Sequence, residues 1–129
     1  MNFQASLSPI ASSEFVQGYC EAVEFCGPCI PEGESVEIIG FSESAKATIL
    51  RDCDAFAEAN ASDIVEFCEI TNKSLTAAGA DFYFTRNGHG TGFWDRGTGP
   101  VFDRLSEAAR DYGSSEDMVG DDGLIYCNA

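Results

Sequence analysis

The sequence predicts an α+β fold: N-terminal helices packed on a small antiparallel sheet of about four strands. Three observations carry the prediction. Apolar residues recur at helical spacing between residues 12 and 72 and again between 100 and 112. Asn87-Gly88, a strong two-residue turn signal, separates the aromatic strand candidates Phe82-Tyr83-Phe84-Thr85 and Phe93-Trp94. A second tight turn, Asp121-Asp122-Gly123, separates Asp117 to Gly120 from Leu124 to Cys127. The 129 residues suffice for one domain with a modest core. Its expected parts are a loosely ordered lead-in over 1–11, a mainly helical part over 12–72, and a hairpin-helix-hairpin half over 80–128.

In the helical part, Ser12 or Ser13 is the expected cap for a stripe of Phe15, Tyr19, Val23 and Cys26, ended by Gly27-Pro28. A loop over 27–41 follows, with a short extended piece at Val36 to Ile39. Ser42 caps a second helix that buries Ala45, Ile49, Cys53, Phe56 and Ala57 and reaches about Asn60. Ser62 is the expected cap of a third, with Ile64, Val65 and Cys68 inward and Asp63 near its favourable N-terminus. After the first hairpin, Pro100 suits a helix start, and Val101, Leu105, Ala108, Ala109 and Tyr112 form the next apolar stripe before Gly113.

The stretch from Asp81 to Gly99 holds the single histidine and the single tryptophan. As a hairpin it puts Phe82, Phe84, Phe93 and Asp95 on the core face and Tyr83, Trp94 and Arg96 on the other, with His89 at the tip. His89 there is either an acid/base or metal-binding group, or a turn residue. Arg86, His89, Asp95 and Arg96 would make a polar site, with the amides of Gly88, Gly90 and Gly92 offered to an anion such as a nucleotide phosphate. Regular strands place Arg86 and Arg96 on opposite faces, so their convergence needs a bulge. Tyr83 and Trp94 beside Arg86 or Arg96 are either interface anchors or a second small core.

Twenty-two acids face seven bases, a formal charge of -15, which disfavours nucleic acid and anionic membranes as partners. The candidate acidic surface is Glu14, Glu21, Glu24, Asp52, Asp54, Glu58, Asp63 and Glu66, suited either to solubility or to a partner with a basic surface. Asp52 and Asp54 point in different directions on a helix, being two residues apart. Met1 to Ser13 lacks the regions of a signal peptide, and no apolar run approaches the roughly 20 residues of a membrane span, so the cytoplasm is the expected compartment. The six cysteines are then expected as thiols, and no cofactor is expected. Zinc at Cys20, Cys26 and Cys29 is the alternative, raised by the Cys26-Gly27-Pro28-Cys29 spacing, although a second such pair is missing.

Long motifs add a resemblance. Asp81-Phe82, Thr85-Arg86-Asn87-Gly88-His89-Gly90, Gly92-Phe93-Trp94-Asp95-Arg96-Gly97, Leu105-Ser106-Glu107-Ala108-Ala109 and the run from Val119 to Tyr126 resemble a family of small acidic proteins encoded by tailed phages, prophages and plasmids. Phe15 to Ala22 and Asp52 to Phe56 are similar to its N-terminal half. The Cys26 to Cys29 segment departs from the family, which has an aromatic or aliphatic patch there. The resemblance implies a mobile-element origin and carries over no catalytic residue. The expected function is a phage-encoded accessory protein that inhibits a host defence factor, of the anti-CRISPR or anti-restriction type, by nucleic-acid mimicry. The alternatives are a nucleotide- or anion-binding protein or enzyme using Arg86, His89 and Asp95, and a phage regulatory or structural component.

Overall fold

The computed structural model describes residues 3–28, 30 and 37–128, and among them the fold is α+β. Its elements run α1 (Phe3–Cys26), β1 (Gly40–Phe41), α2 (Glu43–Ala59), α3 (Ala61–Thr71), α4 (Leu75–Arg86), a 3-10 turn (Phe93–Asp95), α5 (Pro100–Arg110), β2 (Glu116–Val119) and β3 (Leu124–Asn128).

Helix α1 buries Phe15, Tyr19 and Val23 of the stripe expected from spacing, whereas Cys26, its last member, sits at the helix end and is exposed. It begins well before that stripe: residues 3–11 are helical, and Ser12 and Ser13 are interior positions. A helix that continues upstream supplies carbonyls to those amides and leaves none for a cap. Ser42 does cap α2, its hydroxyl accepting from the Ala45 amide at 3.0 Å. Asn60, not Ser62, stands at the α2–α3 junction, donating both its backbone and side-chain N–H to the Phe56 carbonyl. Of the expected extended piece, Val36 lies outside the described residues, and the strand itself is Gly40–Phe41.

The largest correction falls on the first expected hairpin. Phe82 to Thr85 belong to α4, capped by Ser74, whose hydroxyl accepts from the Ala77 amide at 3.1 Å. Asn87-Gly88 ends this helix instead of turning a hairpin. Gly88, at φ 69°, donates to the Thr85 carbonyl at 3.2 Å, and the next amide, His89, reaches back to the Phe84 carbonyl at 3.0 Å. This is the paired closure of a Schellman motif, which needs the left-handed residue that glycine supplies without strain.

Helix α4 runs through the middle of the molecule. A Cβ on Gly18 of α1 would lie 1.7 Å from the Thr76 carbonyl oxygen, and one on Gly79 of α4 would lie 1.9 Å from that of Phe15. The two backbones therefore touch. Phe82 stacks on Phe56 at 4.2 Å, and Phe15, Phe93 and Tyr112 pack around that pair.

With one hairpin replaced by a helix, the described residues hold a three-stranded mixed sheet of order β1-β3-β2, not four antiparallel strands. The second hairpin forms as expected, β2 antiparallel to β3 with Val119 opposite Ile125. In its turn Asp122 accepts from the Leu124 amide at 3.0 Å, the local bonding that suits aspartate to turns. Strand β1 adds to the other edge of β3 in parallel, Gly40 opposite Leu124.

Candidate functional site

The basic residues of the 81–99 motif are placed inside the structure. Arg86 has a side chain only 2% exposed. It donates to Asp52 Oδ2 at 2.9 Å, to the Tyr19 hydroxyl at 3.2 Å, and to the carbonyls of Gly113 and Tyr112 at 2.8 and 3.3 Å. Its guanidinium lies 5.6 Å from the ring centres of both Phe82 and Tyr112. Burial alone would lower its pKa, but Tyr19 and the Asp52 carboxylate outweigh this and hold it above the usual value. Arg86 thus ties α1, α2, α4 and the turn after α5 together, out of reach of an external anion.

Arg96 makes a bidentate pair with Asp81, Nε to Oδ2 at 3.0 Å and Nη2 to Oδ1 at 2.7 Å. Asp81 is 1% exposed, so this pair clamps the loop onto α4. Asp95 accepts from the Thr91 hydroxyl at the surface, and Trp94 is exposed. Arg86, His89, Asp95 and Arg96 are therefore not brought into one cluster. With Tyr83 on a helix and Trp94 in the 3-10 turn, the expected cross-strand relation between them is also replaced.

Tyr83 and His89 instead meet at a groove of about 470 Å³ between the end of α1, the end of α4 and β2. Its walls include Cys26, Tyr83, His89, Glu116, Asp117 and Met118. The helix closure sets His89: its ring packs 5.7 Å from Phe84 and 5.8 Å from Tyr83. The Tyr83 hydroxyl donates to Asp117 Oδ2 at 2.9 Å, Asp117 Oδ1 has a long 3.4 Å contact with the Ser115 hydroxyl, and the Cys127 thiol also bonds to this carboxylate. Asn87 joins the walls, donating to the Tyr83 carbonyl and accepting from the Ser115 amide at 2.8 Å. Burial, then the Asp117 carboxylate, pushes the Tyr83 hydroxyl and the Cys26 thiol above their usual pKa, so both stay neutral donors near pH 7. Asn87, Ser115 and Asp117 carried no functional signal in sequence, because Asp117 meets Tyr83 from 34 positions away.

The acidic candidates divide by burial. Glu14, Glu21 and Glu24 are exposed on one face of α1, with Gln17 donating to Glu21 at 3.1 Å. Asp54, Glu58 and Glu66 are exposed on α2 and α3. Asp63 is half-buried and takes both Nε and Nη2 of Arg104. Asp52 leaves the acidic surface, since it is buried between Arg86 and Arg51. Among the described residues, five of the seven basic side chains have a carboxylate partner, Lys46 with Glu43, Arg51 and Arg86 with Asp52, Arg96 with Asp81 and Arg104 with Asp63.

Cys20 is half-buried and Cys26 exposed, and Cys29 lies outside the described residues. Among the described residues, no group of three or more His, Cys, Asp or Glu side chains is arranged to hold a metal ion. No described helix is long and apolar enough to cross a membrane. Comparison with family models, curated proteins and solved structures finds no match.

Proposed function

We propose that this chain is a mobile-element accessory protein that binds a host defence complex, of the CRISPR or restriction type, at a basic nucleic-acid groove and so inhibits it. The observation that carries the reading is the face of α1. Glu14, Glu21 and Glu24 project from it over about 15 Å of helix, and no lysine or arginine precedes Lys46 in the sequence. Most of the chain's cations are tied to carboxylates of the fold, so they do little to neutralise this face. A surface of one sign attracts a partner of the other and competes with the phosphates that partner would hold. The exposed Trp94 is available as an apolar anchor elsewhere on the surface.

The test is a pull-down of the tagged protein from host lysate at low and high salt, because exposed charge pairing is screened. A stoichiometric nucleoprotein or defence partner, lost at high salt and lost by the Glu14→Gln/Glu21→Gln/Glu24→Gln variant, is the expected result. Recovery of no partner at low salt overturns the reading, as does a partner that the variant keeps in full.

A further inference from the structure

We infer that the groove between α1, α4 and β2 receives an arginine side chain of the bound protein partner. This rests on the partner-binding reading above and adds where a cationic residue would be seated.

Charge complementarity selects the occupant. Glu116 and Asp117 line the groove from β2, and among its described lining residues there is no lysine or arginine. Cys26 and Gly27 place the C-terminal end of α1 at the same wall, where the helix macrodipole is negative. All three features favour a cation. Asp117 Oδ2 is taken by Tyr83, and Ser115 and the Cys127 thiol also reach its carboxylate, but two carboxylate oxygens offer about four lone-pair sites, which leaves room for a strong donor.

Shape narrows the cation to a guanidinium. The Tyr83 and His89 rings, tilted by 31° to one another, give the wall a flat aromatic character, and a planar delocalised cation stacks on such surfaces where a compact ammonium does not. Met118, 49% exposed, offers an adaptable apolar contact for a methylene stem. The volume of about 470 Å³ exceeds what one side chain fills, so a short stretch of peptide enters with it.

His89 is the single histidine, so its ring protons report directly on the groove by NMR. The probes are an acetylated tetra-arginine peptide and its citrulline counterpart, which keeps the shape and loses the charge. The expected result is a saturable shift of the His89 signals with the arginine peptide alone. In Glu116→Gln/Asp117→Asn the affinity falls by about tenfold or more, whereas the α1 triple variant loses no more than about threefold. Asp117→Asn keeps an acceptor for the Tyr83 hydroxyl, and Met118→Lys, at a half-exposed position, is a second test that needs no repacking; it is expected to abolish the shift.

The inference fails if His89 does not move, if citrulline shifts it equally, or if groove and α1 variants weaken binding alike, which would mark general charge attraction. The pull-down separates the two claims. A partner kept by the groove variants but lost by the α1 variant sinks the groove and leaves the proposed function standing. A saturable His89 shift with no partner recovered does the reverse.

Discussion

Asp52→Ala removes the carboxylate that neutralises Arg86. The guanidinium is 2% exposed and cannot swing into water, and its remaining acceptors are the neutral Tyr19 hydroxyl and two carbonyls. Breaking a buried pair from one side costs about 3–5 kcal/mol, because an uncompensated charge stays inside. For a chain of this size, about 3–4 °C of Tm accompanies each kcal/mol, so Tm falls by roughly 10–20 °C. Urea denaturation of wild type, Asp52→Ala, Arg86→Met and the double variant measures the coupling directly. The double variant is expected to be less destabilised than the sum of the single changes, since neither charge is then left alone. A loss below about 1 kcal/mol in Asp52→Ala would refute the argument, for it would mean that Arg86 finds solvent.

Four further outcomes follow from the packing and the thiols. Alanine at Gly18 or Gly79 should gain about 1 kcal/mol from helix propensity alone, but the added Cβ would meet a carbonyl oxygen within 2 Å across α1 and α4. Overpacking of this kind costs about 1–3 kcal/mol or more, so the denaturation midpoint should fall, and a rise would disprove the close crossing. Arg96→Ala leaves the buried Asp81 carboxylate unpaired and should destabilise by about 3 kcal/mol, with faster amide exchange across 91–97; wild-type exchange there would show that the clamp is dispensable. Burial, then neighbouring carboxylates, pushes the Cys20 and Cys68 thiols up to about 11. A pKa raised on folding gives stability that is fully present below the unfolded thiol value and lost as pH rises through the folded one, so Tm should hold below pH 9 and fall from there towards 11. In native protein at pH 8, alkylation should mark the exposed Cys26 well before Cys20, and equal rates would contradict their burial.

The part of this fold that was legible in sequence is the part where one face meets water. Helices α2 and α5 alternate between core and solvent, so Ile49, Cys53 and Phe56, or Val101, Leu105 and Ala109, repeat at helical spacing and reveal themselves. The second hairpin announced itself through the aspartates and glycine of its turn. Helix α4 could not. Gly79, Asp81, Phe82, Tyr83, Thr85 and Arg86 are all buried, so little polar face remains to show a period, and its aromatic run reads as a strand. Asn-Gly serves a hairpin turn, where both residues take φ > 0, and also a helix C-terminus, where only the glycine does, as Asn87 at φ -96° and Gly88 at φ 69° do here.

The site divides in the same way. Sequence alone determined the net charge, the run free of basic residues before Lys46, and the carboxylates spaced along one face of α1, because charge is a property of composition and helical spacing is local. Only the tertiary structure decided that Arg86, Arg96 and Asp52 are internal braces and that Tyr83, His89 and Asp117 share a groove. Those contacts join residues far apart in the chain, and a buried arginine has the same letter as an exposed one. What separates them is the cost of burying a charge, which is met only where packing brings a partner to it.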